Sequence, residues 1–178
     1  MDEKALPDRI ETPRLMLRKS RFEDWRDLYT NIWSRPESAR YMLWSVTTGE
    51  DAARARMERT LAFERTHPGK YSVEEKASGA VIGWAGIEKL SDAVWGETGI
   101  ALGPDYWRRG YGREIVTALT DFCRDECGAK VFVYSAREAN AASRALAESC
   151  GFSLDSSELH TDEDGRAYLL LLYRKALS

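Results

Sequence analysis

A strand, a glycine turn, a helix and a second strand follow one another in the middle of the chain, and this order constrains the fold most strongly. The strand-like run Ala93–Leu102 leads through Gly103-Pro104 to the glycine turn, Trp107–Arg113. An amphipathic helix pattern follows, and Val131–Tyr134 reads as a short strand after it. A connection that returns through a helix to the same sheet makes its two strands parallel neighbours. The sequence therefore predicts one parallel crossover beside the glycine turn.

Short turns join the other predicted strands, and short turns favour antiparallel pairing. These strands lie around Leu15–Leu17 and at about Lys70–Lys76, Ala80–Lys89, Phe152–His160 and Arg166–Lys175. Apolar spacing predicts the other helices at Phe22–Trp33, Glu50–Arg65 and Asn140–Cys150. The predicted fold is mixed α/β (α+β): a mostly antiparallel sheet with one parallel crossover and helices on both faces.

Composition limits the classes of protein to which the chain belongs. Its 178 residues (20.2 kDa) suit one domain, predicted to span 1–178. The formal net charge of −3 argues against a nucleic-acid partner, because such partners usually select basic surfaces. No apolar run approaches the roughly 20 residues that span a bilayer, and Met1–Lys4 opens no signal peptide, so no membrane partner is expected.

The three cysteines are an odd number and lack the spacing of a metal site or a redox pair. They are Cys123, Cys127 and Cys150. Cys123 and Cys127 lie four apart on a predicted helix, so they read as small buried apolar side chains. No metal site is expected, and a reducing cytoplasm is the expected compartment.

The glycine turn is a candidate anion site. A glycine-rich turn at a helix start directs unpaired N–H groups and the positive end of the helix dipole at one point, which suits phosphate. The flanking arginines add bidentate donors. The alternative is an ordinary tight turn with solvated arginines. The turn lacks the third glycine of a dinucleotide fingerprint and the Gly-Lys-Ser/Thr of a phosphate-binding loop.

Three separated segments resemble the GNAT superfamily of N-acetyltransferases in order and spacing. They are Glu97–Leu102, the glycine turn Trp107–Arg113, and Asn140–Phe152. The opening Glu11–Arg18 is similar to the RimJ/RimL-type branch of that superfamily, named for ribosomal-protein N-terminal acetyltransferases. The family's loop often begins with Gln or Arg where this chain has Trp107, although an aromatic residue also occurs there in this branch. The resemblance covers nearly the whole chain.

The resemblance implies acetyl-CoA as the donor substrate, with no metal. Ile100 and Leu102 would flank the pantetheine arm, and the N–H of Ile100 or Ala101 would stabilise the oxyanion. The residues expected around the pyrophosphate are Arg108, Arg109, Gly110, Tyr111, Gly112 and Arg113. Asn140 would hydrogen-bond the pantetheine, although Asn is also a favoured helix N-cap. Ser143 would lie near the sulfur or the pantetheine, and its alternative is a solvated serine.

The catalytic expectations are less specific. Glu97 is the candidate base that takes the proton of the attacking amine, and the alternative is an exposed strand carboxylate. Ala147 stands where many family members carry a tyrosine acid, so Ser143 is the candidate hydroxyl for the leaving thiolate. Tyr134 and Tyr168 are outside candidates, and the thiolate also has the option of leaving unassisted.

The expected acceptor is a primary amine: a protein or peptide N-terminus, an amino acid, a polyamine or another small amine. Tyr41, Trp44 and Trp33 are candidate walls of its pocket, with core packing as the alternative. The acidic residues Asp155–Asp164 either attract a cationic amine or form a solvated hairpin. The competing functions are a non-catalytic acyl-CoA-binding module and a nucleotide-binding enzyme of another fold. A monomer or a homodimer is expected.

Overall fold

The computed structural model describes residues 6–178. Met1–Lys4, predicted to open no signal peptide, lies outside the described residues. The described strands are β1 Arg9–Glu11, β2 Leu15–Arg18, β3 Lys70–Glu75, β4 Val81–Ser91, β5 Val94–Leu102, β6 Val131–Arg137, β7 Ser153–Thr161 and β8 Ala167–Ala176. The α-helices are α1 Trp25–Leu28, α2 Pro36–Ala39, α3 Glu50–Glu64, α4 Tyr111–Cys127 and α5 Ala141–Ser149. β1 and α2 were not predicted.

The hydrogen-bonded strand order is β1-β2-β3-β4-β5-β6-β8-β7. The parallel register pairs Val94 with Val131 and Gly96 with Val133, so the predicted crossover of β5 and β6 through α4 is confirmed. The registers of β1–β2, β2–β3, β3–β4, β6–β8 and β7–β8 are antiparallel. The predicted fold class, a mixed and mostly antiparallel sheet with one parallel pair and helices, is confirmed.

The chain divides into two compact units. The first contains the residues up to Ile87 together with Thr98–Ala118, and the second contains Glu88–Glu97 together with Leu119–Ser178. Strands β4 and β5 and helix α4 contribute residues to each unit. The assignment of the whole chain to one domain stays a prediction.

The first unit buries most of the apolar stripe predicted between Phe22 and Trp33, although Phe22 itself is 38% exposed. Trp25, Leu28 and Ile32 pack with Met57 of α3 in one cluster. The segment is not one regular helix, because a 3₁₀ turn, α1 and a π-helix at Tyr29–Trp33 succeed one another. Each piece has only 3 to 5 residues, about one turn, so apolar spacing predicts the buried face but not the local winding.

The second unit is built on β6, β7, β8 and α5. Phe132 and Tyr134 of β6 are buried, as is Tyr173 of β8, which pairs with Tyr134. Ala147 of α5 is completely buried. Cys123 is buried as predicted, whereas Cys127 is only half-buried because it falls in the last turn of α4.

Two kinds of structural feature are absent from residues 6–178. Within this range no helix combines the length and the apolar character that a bilayer span requires. The same residues contain no group of three or more His, Cys, Asp or Glu side chains suited to a metal ion.

Candidate functional site

The glycine turn adopts the left-handed backbone that its sequence suggests. Gly110 has φ of +80° and Arg108 has φ of +61°, and α4 begins at Tyr111. Because the first N–H groups of a helix lack intrahelical acceptors, those of Tyr111, Gly112 and Arg113 are available to a ligand. The turn thus supplies main-chain donors at the positive end of a 17-residue helix.

The N-terminal segment of the chain holds this turn in place. Arg14 donates from Nη1 to the carbonyl of Arg109 at 2.9 Å and from Nε to Glu114 at 2.7 Å. The hydroxyl of Thr12 donates to the other oxygen of Glu114 at 2.6 Å. The Arg14 guanidinium also lies 4.5 Å from the ring centre of Tyr111. The opening that resembles the RimJ/RimL-type branch is therefore the support of the glycine turn, a role that sequence analysis did not assign.

A buried pair forms the underside of the turn. The Tyr111 hydroxyl donates to Glu75 of β3 at 2.5 Å, and Ser78 donates to the second oxygen of Glu75 at 2.7 Å. The hydrogen bond from Tyr111, followed by that from Ser78, holds the pKa of Glu75 below its ordinary value. Tyr111 is 7% exposed and its hydroxyl is bonded to Glu75, so the pyrophosphate contact expected of this residue stays a prediction for its main chain. Its main-chain N–H remains at the helix start.

We expect Tyr111→Phe to lower the free energy of unfolding by about 1.5–3 kcal/mol at pH 7, since the substitution removes a hydrogen bond to a charged group. Because the pKa of Glu75 is lower in the folded state, its ionised carboxylate stabilises the fold at pH values above the carboxyl pKa of the unfolded chain. This stabilisation is lost as the pH falls through the pKa of the folded state. The difference from wild type should therefore shrink below about pH 4. Urea unfolding at pH 7 and at about pH 3 measures it, and a pH-independent difference would contradict the assignment.

The arginines of the turn differ in their surroundings. Arg108, Arg109 and Arg113 are all exposed, but Arg109 also lies 4.0 Å from Glu75 and over the ring of Tyr106. Trp107 donates its indole N–H to the carbonyl of Leu102 at 2.7 Å, which fixes the turn to the end of β5. Trp107 therefore serves as a support of the turn.

β5 changes conformation just before the predicted donor contacts. Gly99 has φ of +120°, a value that side-chain-bearing residues rarely adopt. The parallel register with β6 ends at Gly96. Ile100, Ala101 and Leu102 follow this change, so their main-chain groups lie outside that register. A glycine inside an apolar strand was the available sequence signal.

Glu97 is anchored within the second unit. Its Oε1 accepts from the main-chain N–H of Ser135 at 3.0 Å and from the Ser135 hydroxyl at 2.7 Å. The carboxylate thus bonds to β6 two positions beyond Val133, the last partner of β5 in the parallel register. Glu97 is half-buried, and the alternative of a fully exposed strand glutamate is wrong. Ser135 was not predicted as a partner of Glu97, because it is one of the alternating positions of β6 and belongs to no motif.

The structure brings Ser143 and Tyr134 together. Their hydroxyl oxygens are 2.8 Å apart, and burial raises the pKa of Tyr134. Asn140 caps α5, because its Oδ1 accepts from the N–H of Ser143 at 3.2 Å. The cap leaves the amide nitrogen of Asn140 for another partner. Ser143 is therefore half of a hydroxyl pair, and its interpretation as an isolated solvated serine is wrong.

The remaining candidates of the second unit lie elsewhere. Tyr168 stacks with His160 and lies under the guanidinium of Arg137 at 3.8 Å. Asp162 accepts from the main-chain N–H groups of Asp164 and Arg166, which makes it a turn residue of the β7–β8 connection. These contacts favour the solvated hairpin for the acidic run.

The first unit also contains two cavities that share lining residues. The larger, about 520 Å³, is lined by Trp44, and the smaller, about 310 Å³, is lined by Trp33 and Trp84. Tyr41 lines neither of these two cavities, so the structure does not support its interpretation as a wall of either one. Trp33 is also 2% exposed and packs in the core cluster.

A model of the acetyltransferase (GNAT) domain family matches residues 14–153 of this chain. The chain belongs to the GNAT acetyltransferase family. The match covers β2, the glycine turn, Glu97 and the capped helix α5. It excludes the nucleotide-binding enzyme of another fold.

Individual proteins agree with this assignment. The chain is 32% identical to the uncharacterized N-acetyltransferase p20 of Bacillus licheniformis over 118 residues, which are 64% of each protein. Two solved structures share the fold at 18% identity. A GCN5-related N-acetyltransferase from Brucella melitensis has a TM-score of 0.83, with 97% of this chain and 80% of that chain covered. The microcin C7 self-immunity acetyltransferase MccE, solved with acetyl-CoA and AMP, has a TM-score of 0.80, with 99% and 100% covered.

Proposed function

We propose that this protein transfers the acetyl group of acetyl-CoA directly to a primary amine in a ternary complex, and that it belongs to the RimJ/RimL-type branch. The observation that carries the proposal is the supported glycine turn at the start of α4, within a chain of the GNAT family. The branch assignment rests on Thr12 and Arg14, whose contacts with Glu114 and Arg109 give that opening a defined role.

The donor contacts follow from the main chain of the first unit. The N–H groups at the start of α4 bind the pyrophosphate, and the exposed Arg108 and Arg113 neutralise its charge. The main-chain groups of Ile100–Leu102 pair with the pantetheine as an added strand would. MccE, whose structure holds acetyl-CoA, shares this fold and supports the choice of donor. No described residue is assigned to a metal.

Three chemical steps need protein groups. Glu97 takes the proton of the ammonium, directly or through water, and the amine then attacks the thioester carbonyl. The N–H of Ile100 or Ala101 donates to the oxyanion of the tetrahedral intermediate. Collapse of the intermediate expels the CoA thiolate, to which Ser143 donates a hydrogen bond, and the second proton that the amine nitrogen loses neutralises the thiolate. Asn140 contacts the pantetheine through its amide nitrogen.

The Ser143–Tyr134 pair replaces the family's tyrosine, since Ala147 is buried and carries no hydroxyl. If Tyr134 donates to Ser143 Oγ, the serine hydroxyl is oriented to donate to the leaving sulfur. The raised pKa of Tyr134 keeps its proton in place at neutral pH. The serine then acts on the sulfur, and Tyr134 is a positioning residue.

We expect Ser143→Ala to lower kcat by about 10- to 100-fold and Tyr134→Phe by less, with the KM for acetyl-CoA nearly unchanged. The matched control is Tyr173→Phe, because Tyr173 is a buried tyrosine paired with Tyr134 across β6 and β8. Steady-state kinetics with a poor and a good thiol leaving group add a second readout. An equal loss of kcat for both leaving groups would contradict the role at sulfur.

Thiol release from acetyl-CoA across a broad panel of amines tests the proposal against its alternative. Peptides, amino acids, polyamines and other small amines make up the panel. Release that depends on the amine supports the transferase. Binding of acetyl-CoA without release by any amine would support a non-catalytic acyl-CoA-binding module. A cytoplasmic location and a monomeric or homodimeric state belong to the same proposal.

A further inference from the structure

Arg56 of α3 lines both cavities of the first unit. The larger cavity is lined by Trp44, Ser45, Thr47, Arg56, Arg59, Thr60 and Phe63. Arg56, Thr60 and Phe63 also line the smaller one, so the cavities adjoin. Their volumes of about 520 and 310 Å³ are in the range of small-molecule sites.

The guanidinium of Arg56 is held between two indole rings. It lies 4.6 Å from the ring centre of Trp33 and 4.5 Å from that of Trp44. Its Nη1 donates to the hydroxyl of Thr47 at 2.9 Å. Within residues 6–178, the only charged side chain that acts appreciably on Arg56 is another cation, Arg59. Arg56 is therefore fixed in place without a carboxylate partner.

This arrangement keeps a positive charge in a partly buried site. Burial, followed by the charge of Arg59, lowers the pKa of Arg56 to about 10, which leaves the group charged at neutral pH. Burying a charge without an opposite charge is unfavourable, and a bound oxyanion removes that penalty. Arg59 is exposed and lines the larger cavity, where it adds to the positive potential.

The cavity walls also contain polar groups without partners. The indole N–H of Trp44 is buried and has no hydrogen-bond acceptor among the described residues. Because this group is a donor only, it matches an oxyanion bound beside Arg56. The hydroxyl of Thr98, which lines the smaller cavity, is likewise buried without a partner in the described chain. Thr98 lies on β5, two residues before Ile100.

We propose that Arg56 and the indole N–H of Trp44 bind an oxyanion of the acceptor, so that the acceptor is a small amine with a carboxylate or phosphate at a distance from its amino group. This inference rests on the proposed function. The planar guanidinium and the added N–H donor match the two oxygens of such a group. An amino acid and an aminoalkyl phosphate are the simplest acceptors of this kind.

Matched acceptors test the site. Amino acids are compared with their amides, and aminoalkyl phosphates with the corresponding amino alcohols, using acetyl-CoA as donor. We expect kcat/KM to be about 10- to 100-fold higher for the charged member of the preferred pair. The pair with the larger ratio identifies carboxylate or phosphate. Equal kcat/KM values within every pair would overturn the proposal.

Three variants separate recognition from folding. Arg56→Met should abolish the preference, and Arg56→Lys, which keeps the cation and most of the stem, should retain part of it. The control is Arg54→Met on the same helix, because Arg54 pairs at the surface with Glu50 and Asp51 and should leave the preference unchanged. A preference that survives in Arg56→Met and Arg56→Lys would contradict the role of Arg56.

A binding measurement distinguishes failure of this site from failure of the transferase. N-acetyl amino acids and their amides, and N-acetyl aminoalkyl phosphates and their alcohols, are titrated calorimetrically into the CoA-saturated protein, without catalysis. Tighter binding of an anion that depends on Arg56 supports the site even if no amine is acetylated. Absence of that dependence, with transfer to uncharged amines intact, would overturn the site and leave the proposed function standing.

Discussion

Gly112→Glu should weaken acetyl-CoA binding by more than about 100-fold while the protein stays folded. The new carboxylate stands in the first turn of α4, where the pyrophosphate is proposed to bind. The positive end of the helix dipole favours an acidic side chain at this position, so the fold is retained, but the same side chain repels the anionic pyrophosphate. A repulsion of about 4 kcal/mol at 4 Å with an effective dielectric constant near 20 exceeds a 100-fold change.

Isothermal titration with acetyl-CoA measures this effect, and thermal unfolding checks the fold. The matched control is Thr117→Glu, which adds the same charge at an exposed position further along α4. The control should change the affinity by only a few fold, because the helix N-terminal field falls off within the first turn. Retained affinity in Gly112→Glu would remove the pyrophosphate from this turn.

Glu97→Gln should lower kcat by about 100- to 10,000-fold at neutral pH while acetyl-CoA affinity stays near that of wild type. The amide oxygen of glutamine preserves an acceptor for the two donors of Ser135, so the local structure is retained. What the variant loses is the ability to take a proton. The pH–rate profile of kcat/KM should accordingly lose the limb that falls on the acidic side.

Two further variants serve as comparisons for Glu97→Gln. Ser135→Ala removes one of the donors to Glu97 and should have a smaller effect than Glu97→Gln, because the main-chain N–H remains. Glu158→Gln changes an exposed carboxylate of β7 and should leave the rate unchanged. A pH–rate profile of Glu97→Gln identical to that of wild type would exclude Glu97 as the base.

Local sequence signals predicted most of the framework. Alternation and helical spacing located the main strands and helices, and the order of the glycine turn and α4 predicted the parallel step at Val94–Gly96. The short β1 strand was missed because three residues carry no periodic pattern. The π-helix at Tyr29–Trp33 was missed because its 5 residues are too few for apolar spacing to distinguish one helix type from another.

The candidate site was predictable only where function resides in a short segment. The glycine turn and the Asn140 cap are local features, and the structure contains both. The contact of Arg14 with Arg109 joins segments 95 positions apart, and that of Tyr134 with Ser143 depends on how α5 packs against β6, which spacing does not reveal. The hydrogen bond from Tyr111 to Glu75 was not predicted for the same reason, because the two residues lie 36 positions apart. The placement of Arg56 without a carboxylate partner was not predicted either, because it depends on the packing of Trp33 and Trp44 around the guanidinium.

Transfer of acetyl from acetyl-CoA to an amine is testable in one experiment. The protein is incubated with acetyl-CoA carrying an isotope-labelled acetyl group and the mixed amine panel, and the products are detected by mass. We expect an acceptor that gains one labelled acetyl group, with one free CoA formed per acetylated amine. Labelled acetate with no acetylated amine, or bound acetyl-CoA that is never consumed, would contradict the transfer.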